Sequence, residues 1–358
     1  MNFDYNEEQQ LLADSVRRYL AKSYDFEARR KIVAGEGWSA HAWAQLAQLG
    51  LMGLPVGTDH GGFGGGAIDL MGVMEAFGDA LVVEPYMPLV LATRLIERGG
   101  AAAQQSALLP AVVEGRAKLA LAHGEQGARY ALDAVRVRAA GNKLSGEKSA
   151  VIGAPVADRL VVSARSDAGI GLYLVERGAV DVKPYRTLDE RLAGDVVLRD
   201  TPAEPLGGGL AALEDAVDFA TALLCAEAVG AMQFACDTTL EYLKTRKQFG
   251  VPIGTFQALQ HRMVDMFISL EQARSMACLA ASKADAERDA RSRARSISAA
   301  KVKVADAARH VSQEAVQLHG GMGMTEELKI SHTFRRLTSI TQAFGDADHH
   351  LERYATLG

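Results

Sequence analysis

A fixed cation, an aromatic ring and amide side chains stand together at Arg246-Lys247-Gln248-Phe249-Gly250. Val251-Pro252-Ile253-Gly254-Thr255-Phe256-Gln257-Ala258-Leu259-Gln260 follows directly. A guanidinium suits a phosphate, because its planar fork offers paired donors and stays charged. A helix C-terminus furnished with Arg and Lys to complement its dipole accounts for the same residues. A second candidate, Asp59-His60-Gly61-Gly62-Phe63-Gly64-Gly65-Gly66, has the composition of a phosphate-cradling loop. The preceding Leu51-Met52-Gly53-Leu54-Pro55 is no convincing strand and no βαβ unit follows, so this loop reads as structural. His349 and His350 are adjacent, face different directions and are not expected to chelate. The cysteines Cys225, Cys236 and Cys278 lack metal-ligand spacing and read as free thiols in helices, which suits a reducing cytoplasm.

These residues need elements to position them. With 358 residues, 48% hydrophobic and 23% charged, the chain has globular composition and length for two or three domains. A net charge of -5 with no strongly basic domain argues against nucleic acid as the main partner. Met1-Asn2-Phe3-Asp4-Tyr5-Asn6-Glu7-Glu8 has neither a basic n-region nor an apolar h-region, so no secretion signal is expected. No uninterrupted apolar run is long enough to span a bilayer, and no membrane association is expected.

Residues 1–117 read as helical. Ser39 is placed as an N-cap for a helix through Trp43, Leu46 and Leu49, with Gly50 as its stop. From 118 to 206 the texture is β-rich. Val135-Arg136-Val137-Arg138-Ala139 alternates, and short runs follow at Leu160–Val162, Leu172–Val175, Val180–Val182 and Val196–Leu198. No helix-length segment intervenes, which predicts a compact antiparallel sheet or barrel and excludes a Rossmann domain. From 207 to 358 the chain is helical again. Leu210–Thr245 is apolar almost all round, as in the middle of a bundle. Ile297, Val304, Val311 and Leu318 recur every seven residues with Ala300, Ala307 and Ala315 between them, a seam that wants a close antiparallel neighbour. Arg288–Arg295 reads as a solvated turn.

This order of an N-terminal helical domain, a small antiparallel β-barrel and a C-terminal four-helix bundle resembles the acyl-CoA dehydrogenase family. The bundle bears Arg246-Lys247-Gln248-Phe249-Gly250 and Gln317-Leu318-His319-Gly320-Gly321-Met322-Gly323. The resemblance covers essentially the whole chain and is most specific in the last 150 or so residues. It implies FAD at an interface between subunits. Arg246 would hold a pyrophosphate, Gln248, Phe249 and Gln257 would pack on or bond the same cofactor, and Gln317, Leu318, Gly320 and Gly321 would let backbone approach the adenosine half. It further implies α,β-dehydrogenation of an acyl-CoA thioester, with an electron-transfer flavoprotein as electron acceptor. The thioester oxygen would be polarised partly by the backbone N–H at the base position.

The departures from the family pattern are informative. The two positions at which relatives carry the catalytic Glu fall on Phe344, before Gly345, and on Thr221; neither can abstract a proton. The nearest acids are Asp215, Asp218, Asp346 and Asp348. Asp218 lies about one helical turn before Thr221 and could serve the pocket along that face, or be an ordinary salt-bridged helix acid. In the β region Ala150 and Ile152 replace a flavin-shielding Trp and a flavin-bonding Thr. Ala122-His123-Gly124-Glu125-Gln126-Gly127 replaces a Thr-Glu-Pro-like turn, and His123 and His319 read as polar loop residues. Two functional readings result: an FAD-dependent acyl-CoA dehydrogenase with an unusual base, or a degenerate partner subunit of an α2β2 enzyme that lends FAD-binding residues across the interface. The ending Phe344–His350 resembles the bacterial branch acting on bulky acyl groups, in which such heterotetramers occur; a homo-oligomer is the alternative assembly.

Overall fold

The computed structural model describes residues 5–358, so Met1–Asp4 of the N-terminal stretch read above lie outside the described residues. The first helices are α1 (Glu7–Ser23), α2 (Phe26–Ala34), α3 (Ala40–Gln48), α4 (Ala67–Ala80), α5 (Tyr86–Gly99) and α6 (Ala102–Val113). Eight strands follow: β1 (Leu119–Ala122), β2 (Arg138–Ala140), β3 (Lys143–Ile152), β4 (Arg159–Ser166), β5 (Gly169–Glu176), β6 (Asp181–Arg186), β7 (Leu192–Pro202) and β8 (Glu204–Leu206). Then come α7 (Gly209–Thr245), the two-residue strands β9 (Lys247–Gln248) and β10 (Val251–Pro252), α8 (Gln257–Ala286), α9 (Ala290–His319), α10 (Lys329–Gln342) and α11 (Ala347–Thr356). The fold is mainly helical with a central β region and C-terminal helices.

The described chain forms two compact units. One comprises Arg29–Gly65 and Val83–Ala220 and holds the sheet. Its strand path is β6-β7-β3-β2-β4-β5-β8, with β1 added beside β4. Most pairs are antiparallel as the alternation predicts, but β1 runs parallel to β4, and β2 meets β4 in parallel at Arg138–Arg165. The sheet is thus mixed, and closure into a barrel is not shown, since the path ends at β6 and β8. The expected strand Val135–Ala139 is mostly irregular. Val135 and Val137 are buried as its alternation requires. The N–H groups of Arg136 and Val137, however, donate to the Glu125 carboxylate at 2.7 and 3.1 Å instead of to a neighbouring strand.

In the same unit Ser39 caps α3 by accepting from the Ala42 N–H, and Gly50 follows at φ +80°. The glycine loop folds on itself. The N–H groups of Phe63, Gly64 and Gly65 donate to the carbonyls of Gly53, Val56 and Leu54 at 3.0, 2.7 and 2.7 Å. Those donors are therefore not presented to a phosphate, and the structural reading of the loop stands.

The other unit comprises, among the described residues, 5–28, Gly66–Val82 and Thr221–Gly358. Its α9 seam, Ile297, Val304, Val311 and Leu318 with the intervening alanines, is buried, and the neighbour is α8, whose Ala273, Ala277, Ala280 and Ala284 are buried in turn. Small residues on both helices permit that close approach. Helices α4 and α7 also cross closely. A Cβ on Gly78 would lie 1.9 Å from the Glu227 carbonyl oxygen, and one on Gly230 would lie 1.8 Å from that of Glu75. Helix α9 starts earlier than the Arg-rich segment suggests: Asp289 caps it through the Ser292 N–H, so Arg291–Arg295 lies in its first turns, with Arg291 and Arg295 exposed and Ala294 buried. Asp next to Ala290 supplies the cap, and Arg is a good helix former, so the turn shrinks to a few residues.

By length and composition alone helix α7 could cross a membrane, yet 89% of its most apolar window is buried inside the fold. It is a core helix whose sequence is apolar because it is surrounded. All three cysteines are free; Cys225 and Cys236 are buried and Cys278 half-buried.

Candidate functional site

Helix α7 ends at Thr245, and the chain doubles back in a small hairpin. The Arg246 N–H donates to Tyr242 O at 2.8 Å, and the Ile253 N–H closes the hairpin on Arg246 O at 2.8 Å. Strands β9 and β10 pair antiparallel across Phe249-Gly250, whose φ values are +55° and +81°. Such two-residue turns favour Asn-Gly or Gly-Gly, because both central residues take positive φ. A phenylalanine there costs about 1–3 kcal/mol of backbone strain, and its ring is 89% exposed, in edge contact with Phe256 at 6.1 Å. Nothing in the chain's own stability accounts for that ring. Arg246, Lys247, Gln248 and Gln257 are exposed beside it. Among the described residues, the Arg246 guanidinium has no ion pair or hydrogen bond.

The Gln317 segment lies next to this hairpin. Gln317 is exposed, while Leu318 and His319 are buried at the end of α9. The His319 Nδ1–H donates to Ala315 O at 2.8 Å, and its ring stacks on Tyr242 with centroids 4.4 Å apart. Tyr242 stands one turn before Arg246, so a single ring joins the two motifs. Sequence reasoning missed Tyr242; its position, i−4 from Arg246 on a helix, is the only signal that could have found it. Gly320, at φ +60°, and Gly321 are exposed, and a Cβ on either would meet nothing within 4 Å. Beyond them Met322 and Met324 are exposed, as are Val264, Phe267 and Ile268 on α8.

This surface fits a dinucleotide. It offers an unpaired guanidinium for a diphosphate, exposed amides, an exposed ring, and two glycines whose outer face is open to backbone approach. The apolar residues around it are those that a partner surface would cover.

The candidate acids are less free. Thr221 is wholly buried, and Asp218 is 2% exposed. Asp215 is bound by Arg94 at 2.8 Å and Arg98 at 3.0 Å. Asp346 caps α11 through the His349 N–H at 2.9 Å, and Asp348 is exposed. Phe344 is half-buried at φ +56°, and Gly345 follows at φ +122°. A Cβ on Gly345 would lie 2.5 Å from the His349 ring and 2.6 Å from His350 Nε2, so only glycine fits.

In the β region Ala150 sits at φ +55° in a bulge between Lys148 and Val151 and donates to Asp195 at 3.1 Å; Ile152 is half-buried. His123 belongs to a packed cluster. The fully buried Lys148 ammonium donates to Glu125 at 2.7 Å, Ser163 Oγ at 2.9 Å and His123 O at 3.1 Å. The Ser163 hydroxyl is then left to donate to His123 Nδ1 at 2.9 Å. Burial and the Lys148 charge lower the His123 pKa to about 4, so it is a neutral acceptor near pH 7.

Comparison with known proteins places this geometry. Residues 6–116 match the acyl-CoA dehydrogenase N-terminal domain and residues 207–356 the acyl-CoA dehydrogenase C-terminal domain. The chain belongs to the acyl-CoA dehydrogenase family. Over 345 residues it is 30% identical to acyl-CoA dehydrogenase IpdE2 of Mycobacterium tuberculosis, covering 94% of this chain and 92% of that protein. It is 31% identical to FadE34 of the same organism, spanning 90% of this chain but 43% of FadE34. The ChsE4-ChsE5 complex from Mycobacterium tuberculosis superposes with a TM-score of 0.91 at 27% identity, covering 99% of this chain and 98% of the matched one. A variant of the Tcur3481-Tcur3483 steroid acyl-CoA dehydrogenase gives 0.90 at 30% identity, covering 98% and 97%. The family's members are oxidoreductases acting on the CH–CH bond of acyl-CoA, and their cofactor is FAD.

Proposed function

We propose that this chain catalyses α,β-dehydrogenation of an acyl-CoA thioester with FAD, in an oligomer whose interface runs over the Arg246 hairpin. The observation that carries the reading is the pairing of an unpartnered guanidinium with a strained, exposed Phe249 ring, beside glycines open on their outer face. Arg246 would hold the pyrophosphate; Gln248, Phe249 and Gln257 would contact the flavin half; and Gln317, Leu318, Gly320 and Gly321 would take the adenosine half. Bound FAD supplies the hydride acceptor for the β-hydrogen.

For the base we assign Asp218, which takes the α-proton onto its carboxylate. Burial of this acid on α7, one turn before Thr221, supports the assignment. The Phe344 N–H donates to the thioester oxygen as negative charge builds there, a role independent of the side chain. The segments 1–117, 118–206 and 207–358 act as helical, β and bundle domains, the last carrying the cofactor and oligomer contacts. Electrons leave to an electron-transfer flavoprotein, and the free thiols suit the cytoplasm. Heteromeric complexes among the structural relatives support a paralogous subunit as the partner and a bulky acyl group as the substrate.

Purification of the full chain, alone and with a Glu-bearing paralogue, tests this. Flavin absorbance and acyl-CoA-dependent reduction of an artificial electron acceptor, both lost or sharply reduced in Arg246→Ala and the activity alone in Asp218→Asn, are expected. Full activity in Asp218→Asn removes that residue as base. A chain that is colourless and inactive alone but gains flavin when combined with the Glu-bearing paralogue is the degenerate-partner reading, which the absence of a carboxylate at Thr221 and Phe344 would then explain.

A further inference from the structure

The turn from α10 to α11 is held by two buried side chains. After Gln342 the chain passes through Ala343, Phe344 and Gly345 to the Asp346 cap. The Ala343 N–H returns to Ser339 O at 3.0 Å, whereas among the described residues the Phe344 N–H reaches no acceptor. The carbonyls of the turn, by contrast, are gripped. Lys301, buried on α9, donates from Nζ to Ala343 O at 3.0 Å and also to Ile340 O. His350, buried on α11, meets Phe344 O through Nε2 at 3.1 Å.

The tautomer of His350 follows from its partners. A carbonyl oxygen only accepts, so Nε2 carries the proton and Nδ1 accepts from the Ser298 hydroxyl at 3.2 Å. Arg353 in turn reaches Ser298 Oγ at 3.4 Å. Burial, with the charges of Lys301 and Arg353 nearby, keeps the ring neutral.

Peptide geometry turns this grip into aim. In a planar trans peptide the carbonyl of one residue and the N–H of the next lie in one plane and point opposite ways. Lys301 on Ala343 O therefore sets the direction of the Phe344 N–H, and His350 on Phe344 O sets that of the Gly345 N–H. A cation on the carbonyl also polarises the amide and makes its N–H a better donor. Burying an ammonium is costly, and a helix C-terminus can be satisfied by water or a glycine cap instead. We infer that Lys301 and His350 are positioning residues: Lys301 orients and polarises the peptide that carries the Phe344 N–H, and His350 fixes the peptide after it, so that Phe344 is clamped on both sides with its N–H toward the thioester oxygen. The inference rests on the acyl-CoA reading above. It explains how a Phe can stand where relatives carry an acid while the backbone keeps its task.

The test uses the full-length chain in its assembled, flavin-bearing form, with acetoacetyl-CoA as probe. Its enolate absorbs in the near ultraviolet, so a pH titration of the bound ligand reports hydrogen bonding at the thioester oxygen without turnover. In the unmodified protein the bound ligand is expected to ionise at lower pH than free acetoacetyl-CoA. K301M and H350L should raise that pKa by about one unit, a roughly ten-fold loss of enolate, and lower kcat by a similar factor with KM nearly unchanged. H350Q, whose amide N–H can still reach Phe344 O, should recover most of both. If K301M does not fold, H350L and S298A decide the question. Folded variants with an unshifted ligand pKa overturn the inference and leave the acyl-CoA reading intact. An unmodified protein that leaves the probe's ionisation at its solution value overturns both.

Discussion

Arg336 on α10 donates from one guanidinium nitrogen to Glu227 on α7 at 2.6 Å, and from another to the carbonyl of Val82 at 2.9 Å, with both charged side chains almost wholly buried. A buried pair of this kind is weak evidence of net stabilisation, but its two halves are strongly interdependent. Glu227→Leu should cost about 3–5 kcal/mol in urea unfolding, because it strands a buried guanidinium. The double variant Glu227→Leu with Arg336→Met should recover most of that loss. Equal losses in the single and double variants would show that shape, not charge, dominates there.

The reciprocal approach of Gly78 and Gly230 sets the distance between α4 and α7. A methyl at either place falls under 2 Å from a backbone carbonyl, which a rotamer change cannot relieve. Gly230→Ala should therefore destabilise by at least about 1–3 kcal/mol, seen as a lower denaturation midpoint, although alanine is the better helix former. A neutral result would mean the helices separate freely.

At the hairpin, stability and cofactor affinity should move in opposite directions. Phe249→Asn places a residue tolerant of positive φ in the turn and removes an exposed ring, so unfolding should become harder by about 0.5–1 kcal/mol. Retention of FAD after gel filtration should fall. Arg246→Lys keeps the charge but not the fork, and a roughly ten-fold weaker hold on FAD with unchanged melting is expected.

Acid sensitivity should begin above the carboxylate range. His123 and His350 are held at about 4 and about 3, chiefly by burial, with Lys148 acting on the first and Lys301, His349 and Arg353 on the second. Their unfolded-state pKa lies near 6.5. Between those values the unfolded chain binds more protons, so stability falls as pH drops from about 6.5 toward 4. Urea midpoints at pH 7 and pH 5 measure it, and the combination of His123→Asn with His350→Gln should flatten the slope.

Much of the architecture is legible in the residues because burial writes periodicity. The alternating and seven-residue patterns located most strands and the α9 seam, and Ser39 announced its helix. What stayed hidden depends on contacts distant in sequence. The irregular path at Val135–Val137 is set by Glu125, which no local pattern reveals. The parallel β1–β4 pairing needs a neighbour 40 residues away. At the candidate site, Arg246 and the Gln317 segment were visible as motifs. Tyr242, Lys148 and Lys301 carry no motif, and His350 was visible only within a pair and a family-like ending, since their partners come from parts of the chain distant in sequence.

The stacking of His319 on Tyr242 has a consequence for how such a sequence can drift. Two motifs about seventy residues apart share one contact, so neither is free to change independently of the other. A substitution at Tyr242 would tilt the end of α9 and the base of the hairpin together, and a tolerated change at one position should be accompanied by a matching change at the other. Selection would thus act on the pair as a single inherited trait, with the ring between them as its hinge.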